Sequence, residues 1–278
     1  MTATSLDFSK KTELRWLSEP VRLVGEAAGD LPYFIAGATA RDLVLQYGYG
    51  IDTARKTHDV DIAFMVETWR AFEALRADLL ATGRFTAAQD NAHRLNFVSG
   101  TVIDLVPFGP IERADRTIAW PPDGADVMSV FGFKEALSAT ILVMLPDRVT
   151  VPVVTLPALA ILKLAAWMDR RYTQPGKDAY DLWVIMRNYL DAGNNDRLHT
   201  DGAQLLKRDD FDYEAAGAWL LGHDMARLLT GGPKTKVSAL LARESDPKGP
   251  MSLIGDMPVD PDKAMAMLSA VSSGFNAS

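Results

Sequence analysis

Residues 58–66 read HDVDIAFMV. Asp59 and Asp61 alternate there with Val60, Ile62 and Phe64. A strand turns successive side chains to opposite faces, so the two carboxylates share one face and the apolar residues fill the other. The stretch therefore predicts a strand packed on a core through one side and carrying two neighbouring negative charges on the other. Such a pair repels unless a cation neutralises it or one group takes up a proton. A hard divalent ion with oxygen ligands resolves the repulsion, and Mg²⁺ with substrate phosphates is the usual case. The plainer alternative is a polar, solvated strand face.

Upstream, YFIA at 33–36 reads as a short buried strand ending at Gly37, and Thr39 to Tyr47 as a helix closed by Gly48 and Gly50. Gly37-Ala38-Thr39-Ala40-Arg41-Asp42 thus spans a strand-to-helix junction. Glycine lets the backbone approach a phosphate, and the free N–H groups of a helix start favour an anion. An ordinary strand–helix turn has the same look. Downstream, Glu67 to Ala81 is helical up to Gly83, and the runs Arg94–Ser99 and Thr101–Phe108, joined at Gly100, predict paired strands. Asp104 interrupts the second run, with Val102 and Val106 on its own face. A lone buried carboxylate costs on the order of several kcal/mol unless it is paired or metal-bound. A salt bridge to Arg94 or Arg41 would satisfy it as well as a metal. Together, a phosphate-binding turn, a D-x-D strand and a third carboxylate on a later strand are what two-metal nucleotidyl transfer requires.

Around this centre, residues 11–28 have helical spacing interrupted by Pro20, and 109–155 is rich in turns with short β-like pieces at Ile141–Leu145 and Val149–Val154. Helical periods dominate after Pro157, at 157–171, 177–190, 213–229, 233–243 and 260–271. The expectation is an α/β (α+β) fold: a mixed-sheet core over residues 1–155, then a helical domain over 156–278 closing over the cleft. The chain has 278 residues, 48% apolar and 23% charged, ordinary globular usage. A net charge of -7 argues against a basic face for duplex DNA, while leaving room for a local groove that takes a nucleotide or an RNA end. With no cysteine, disulfide scaffolds and thiolate metal sites are excluded. The opening MTATSLDFSKKTELRW lacks the apolar core of a signal peptide. Val149 to Leu162 is broken by Pro152 and Pro157 and falls short of the roughly 20 residues needed to span a bilayer. A soluble, cytoplasmic protein without a membrane segment is expected.

The set of motifs resembles the polymerase-β nucleotidyltransferase superfamily, with its G-[GS], D-h-D-h and later third aspartate. More closely, it is similar to the AbiEii/AbiGii toxin-type nucleotidyltransferases, whose core is followed by a helical region with a lysine and a K-D-x-x-D-L element. Here these are Lys163 in LAILKLAAW (159–167), then Arg170, then KDAYDL (177–182). The resemblance covers roughly residues 33–190. It implies transfer of NMP from an NTP to a hydroxyl acceptor with two Mg²⁺ or Mn²⁺ ions. Asp59 and Asp61 would ligate both ions, and Asp104 the one that activates the acceptor. Gly37 and Ala38 backbone groups would hold phosphates, with Thr39 replacing the hydroxyl that Ala38 lacks. Lys163 would add charge in a catalytic role, with Arg41, Arg170, Lys177, Asp178 and Asp181 also in the nucleotide site. It further implies an RNA acceptor, a tRNA end among the candidates, an antitoxin protein as partner, and a role in growth arrest or phage defence. The spacer from Gly37 to Asp59 is long, as suits this branch.

Read as residues alone, Lys163 and Arg170 share one helix face, and the acidic start of the next helix complements its dipole. Arg170 and Arg171 as solvated groups, and Lys177 with Asp181 as a surface pair, are the plainer readings. GATARDLVL (37–45) also resembles the G-G-x-x-R-D-x-L-L stretch of tRNA CCA-adding enzymes and poly(A) polymerases, but the R-R-D-F-T-like and E-D-x-x-R-type elements of those enzymes are not found. A haloacid-dehalogenase phosphatase explains neither Asp104 nor the glycine turn. A non-catalytic nucleotide-binding module of the same fold is the remaining alternative. The histidines at 58, 93, 199 and 223 have no metal-ligand spacing, His58 being read as a loop residue beside Asp59. Trp167, Trp183 and Trp219 are read as core. No P-loop or G-x-G-x-x-G occurs.

Overall fold

The computed structural model describes residues 5–54, 59–89, 91–174 and 176–278, so His58 lies outside the described residues. The chain forms two compact units, Met1–Asp42 with Arg55–Thr155, and Leu43–Ala54 with Leu156–Ser278.

In the first unit the strands are β1 (Ser5–Asp7), β2 (Tyr33–Ala36), β3 (Asp59–Met65), β4 (Phe85–Ala87), β5 (Arg94–Phe97), β6 (Val102–Phe108), β7 (Thr117–Ala119), β8 (Val127–Ser129), β9 (Thr140–Met144) and β10 (Thr150–Val154). Among the described residues, eight of them form one mixed sheet in the order β1-β9-β10-β2-β3-β6-β5-β4, and β7 pairs with β8 alone. Pairing is parallel for β1 with β9, β10 with β2 and β3 with β6, and antiparallel elsewhere in the sheet. The period-two alternation of β3 has its expected result: Val60, Ile62 and Phe64 are fully buried, Asp59 is exposed and Asp61 half-buried. On β6, Ile103 and Leu105 are likewise inaccessible. β1 and the β7–β8 hairpin were not expected from the sequence. Each is three residues long, too short to show a period.

The unit's helices are α1 (Arg15–Ala28), α2 (Gly37–Asp42), α3 (Trp69–Ala81) and α4 (Phe133–Leu137). Pro20, expected to interrupt the first helix, lies inside α1. Its missing N–H leaves the carbonyl of Trp16 without a helical donor, and the Thr101 hydroxyl donates to that oxygen at 3.4 Å. α3 starts where Thr68 caps it, its hydroxyl accepting from the Ala71 N–H at 3.2 Å.

In the second unit, Leu43–Gly48 continues the helical path as π-type turns. The linear reading put 43–54 in the first half. Its place in the second unit follows from contacts such as the Tyr180 hydroxyl donating to the Thr53 carbonyl at 2.9 Å. The helices are α5 (Leu156–Arg170), α6 (Lys177–Arg187), α7 (Tyr213–Leu228), α8 (Gly231–Glu244), α9 (Ser252–Gly255) and α10 (Pro261–Asn276). α10 buries Ala264, Met267, Leu268, Val271 and Phe275, a stripe of helical period, against α7. Trp167, Trp183 and Trp219 are all buried. Among the described residues no helix is long and apolar enough to cross a membrane.

The α7–α10 crossing brings backbone against backbone. A Cβ on Gly222 would stand 2.0 Å from the Val271 carbonyl oxygen, and one on Gly274 would stand 1.9 Å from that of Trp219. Backbone cannot swing aside, so Gly222→Ala is expected to destabilise by about 3 kcal/mol or more. Gly232→Ala in α8, where a Cβ meets nothing within 4 Å, should be neutral or stabilising by up to about 1 kcal/mol. Urea unfolding followed by circular dichroism checks both.

Candidate active site

The sheet register places the aspartates. Asp61 on β3 lies beside Asp104 on the parallel neighbour β6, and Asp59 beside Val102. Adjacent strands run about 4.8 Å apart, so Asp61 and Asp104 are lateral neighbours and Asp59 is one repeat along the same face. On the far side of β6, Arg94 of β5 pairs across from Asp104. Its guanidinium donates in a fork, Nε to Oδ1 at 2.8 Å and Nη2 to Oδ2 at 2.7 Å. The salt bridge that the sequence offered as an alternative partner for Asp104 is therefore present, with Arg94. Asp104 is 8% exposed. The Arg94 guanidinium is held above its ordinary range, first by the hydrogen bonds to Asp104, against the opposing effect of burial, and further by the charges of Asp104, Asp59 and Asp61. All three carboxylates thus act on one point. As donors they are hard oxygen ligands, the set that suits Mg²⁺ or Mn²⁺. Among the described residues, no three His, Asp or Glu groups are already drawn together at ligand distance.

The glycine turn abuts this pair. Ala36, the last residue of β2, pairs with Asp61. Gly37 follows with φ +66°, and a Cβ there would fall 1.8 Å from Asp61 Oδ2. Only glycine permits both the left-handed backbone and the carboxylate's approach. α2 starts at this residue, so its first N–H groups have no helical acceptor. Gly37 and Ala38 are half-buried there. The Thr39 hydroxyl, expected to serve a phosphate, instead donates to the Asp59 carbonyl at 2.8 Å, and Thr39 is buried. It ties α2 to β3. Arg41 also departs from expectation. It is 1% exposed, with Nε and Nη2 donating to Asp42 Oδ1 at 2.8 and 2.7 Å, so it is an internal group rather than one displayed to a nucleotide.

The remaining predicted residues belong to the second unit, where Lys163, Arg170, Asp178 and Asp181 cluster and Lys177 is exposed. Lys163 and Arg170 share a face of α5 as expected, and that face meets Asp178. Lys163 Nζ lies 3.3 Å from Asp178 Oδ1 and also bonds Asp181. Arg170 donates to Asp178 from Nε at 2.6 Å and from Nη2 at 2.7 Å. Lys163, Asp178 and Asp181 are all buried. The ammonium expected to face a triphosphate is here the counter-ion of two buried aspartates. Asp181, read as a surface partner of the exposed Lys177, is instead bound to Lys163. Burial alone would push the Asp178 carboxyl up. The Arg170 hydrogen bonds and the Lys163 charge overcome it and hold the carboxyl below its ordinary range.

Arg94 is the site residue that sequence reasoning left out of its candidate set. Its signal was the hairpin itself, since a short connection through Gly100 sets Arg94 opposite Asp104. His93, next to it, stacks on Trp120 with ring centroids 4.9 Å apart. Burial lowers its pKa, with the charge of Asp104 opposing and that of Arg94 adding.

Lys163→Met strips the second unit's cluster of its innermost cation and is expected to cost about 3–5 kcal/mol in unfolding free energy. The Asp178 carboxyl, depressed in the folded chain, contributes stability that is present above its unfolded value, ordinarily 3.8. That stability is lost as pH falls through the lower folded value. The unfolding midpoint should therefore decline as pH drops below about 4, and less steeply in Asp178→Asn.

The chain matches, over residues 23–229, the family described as "Nucleotidyl transferase AbiEii toxin, Type IV TA system". No curated protein matches it in sequence. Similar solved structures include the antibiotic-resistance factor ANT(2'')-Ia, 16% identical, covering 69% of this chain and 98% of that one with a TM-score of 0.37. An antigenic nucleotidyltransferase-like protein from Paracoccidioides brasiliensis is 16% identical, covering 71% and 92% with a TM-score of 0.42. JHP933 from Helicobacter pylori is 12% identical, covering 93% and 90% with a TM-score of 0.34. The matched segment takes in the glycine turn, the three aspartates of the sheet and the cluster around Lys163, and the chain belongs to the AbiEii nucleotidyl transferase toxin family.

Proposed function

We propose that the chain transfers NMP from an NTP to a hydroxyl of an RNA, with a tRNA end as the candidate acceptor, and that Asp59, Asp61 and Asp104 hold two Mg²⁺ or Mn²⁺ ions for the reaction. The observation that supports this reading is the in-register pair Asp61–Asp104 set against the Gly37 turn. When bound, such ions neutralise the triphosphate and lower the pKa of the acceptor hydroxyl. In the reaction the acceptor oxygen bonds to the α-phosphorus, the bond to pyrophosphate breaks and the hydroxyl proton is released. The protein positions groups and balances charge. The N–H groups at Gly37 and Ala38, which begin α2 and have no acceptor within the helix, are the proposed site for the terminal phosphates. Membership of a toxin family supports a role as the toxin of a toxin–antitoxin pair, with an antitoxin protein as the proposed partner.

Purified protein incubated with each α-labelled NTP, Mg²⁺ or Mn²⁺ and total RNA should put label into RNA, and Asp61→Ala should reduce transfer to background. Absence of label from every acceptor, with all four nucleotides and both ions, would end this reading and favour the non-catalytic module. Gly37→Ala should lose transfer as fully as Asp61→Ala in the same assay, because its Cβ takes the space of the Asp61 carboxylate.

A further inference from the structure

The turn that leaves α5 carries chemistry that the reaction at the aspartates does not use. Residues 170–177 read RRYTQPGK, three cations and no acid in a chain of net charge -7. Arg170 is engaged with Asp178, while Arg171 and Lys177 make no ion pair among the described residues. The contacts that hold Arg171 are neutral. Its guanidinium lies 4.9 Å from the ring centroid of Trp167 and 4.7 Å from that of Tyr172, and Nη2 donates to the Ser252 hydroxyl at 3.1 Å. Trp167 is buried and donates from Nε1 to Asp256 at 2.8 Å. The backbone of the turn is pinned as well, since the Thr173 and Gln174 N–H groups both donate to the Arg170 carbonyl, at 3.0 and 2.8 Å. Tyr172, at the outer end of this stack, is 84% exposed.

We propose that Arg171 and Tyr172 form a contact for single-stranded RNA, in which a base stacks on the open face of Tyr172 and Arg171 meets an adjacent phosphate. The contact rests on the reading of RNA as the acceptor, and concerns the grip on that RNA rather than the transfer. An aromatic ring stacks any base through its π face, and a neighbouring arginine supplies charge to the backbone. A lone exposed tyrosine needs no such explanation. This one differs in being backed by an anchored cation. The guanidinium behind it is held from Trp167 and Ser252, so ring and charge are presented together with little freedom left to lose on binding. The neighbours of the ring favour nucleic acid over protein. Anchors for protein partners gather in packed patches depleted of charge, whereas the chain beside Tyr172 is cationic or polar, with Arg171 before it and Thr173, Gln174 and Lys177 after it.

Fluorescence anisotropy of a short fluorescein-labelled single-stranded RNA of mixed sequence, titrated with the full chain, tests this without turnover. Tyr172→Ala should weaken binding about tenfold, and Tyr172→Phe, which keeps the ring, should bind as the wild type does. Arg171→Gln should lower the slope of log affinity against log salt by about 0.7, the share of one phosphate contact on a single strand, which a loss of packing alone would not move. Should Arg171→Gln fail to fold, the two Tyr172 variants carry the test. No binding by the wild type, or equal affinity in Tyr172→Ala and the wild type, would overturn the contact, and the second result would leave the exposed ring to a protein partner. Label entering RNA in the transfer assay alongside either result would leave the reaction standing. Binding that depends on Tyr172, in a chain that labels no acceptor, would bear out the contact and end the transfer reading.

Discussion

The parallel pairing of β3 with β6 is the constraint from which the rest of the site follows. It sets Asp61 beside Asp104 at strand spacing, a placement that charge alone would oppose. What enforces it is the other face of the same two strands. Val60, Ile62, Ile103 and Leu105 are inaccessible to solvent, and a slip by one residue would turn that set outward and the aspartates into the core. At about 25 cal/mol per Å² of apolar surface, several buried aliphatic side chains outweigh the repulsion of one carboxylate pair at a half-exposed edge. The hydrophobic face thus decides where the charges stand.

Gly37 transmits the same constraint to the turn. Because Ala36 pairs with Asp61, the chain must leave β2 directly over that carboxylate. Any side chain at 37 would collide with it, since a Cβ there would stand only 1.8 Å from Oδ2. Thr39 then fastens the first turn of α2 back to the Asp59 carbonyl. The anion-favouring N–H groups and the aspartates are therefore one rigid piece, coupled through a steric exclusion and a single hydroxyl hydrogen bond.

Much of this was legible in the sequence wherever a period or a turn residue carried it. The alternation in 59–65, the glycine after YFIA, and the apolar run broken by Asp104 each had a physical reading that the fold bears out. Three kinds of information were not legible. β1 and the β7–β8 pair are too short for periodicity, and the existence of β1 depends on a distant partner, β9. Arg41 beside Asp42 looks like any exposed charged pair until the fold closes over it. Helical spacing put Lys163 and Arg170 on one face of α5 but could not say what that face would meet. The answer, Asp178 and Asp181 of α6, is a tertiary fact.

The two charge clusters differ in a way that bears on how each is used. In the second unit, the Lys163, Asp178 and Asp181 side chains are 6%, 1% and 4% exposed. Opening such a cluster strands ions in a medium that solvates them poorly, and the cost is on the order of several kcal/mol per broken pair. It is built to stay closed. The Arg94–Asp104 fork has nearly the same bond lengths as that of Arg170 on Asp178, and the two guanidinium side chains are equally exposed at 36% and 37%, but the Asp104 carboxylate is 12% exposed where that of Asp178 is 1%. Water can partly replace what the carboxylate gives the half-exposed guanidinium, but the buried Asp104 left behind would lack its counter-charge, so the pair lies between a surface pair and the closed Lys163 cluster. Equal hydrogen-bond geometry therefore conceals unequal permanence. Asp104 is held by a cation that water can reach, whereas Lys163, which the sequence marked for catalysis, sits where displacement is hardest.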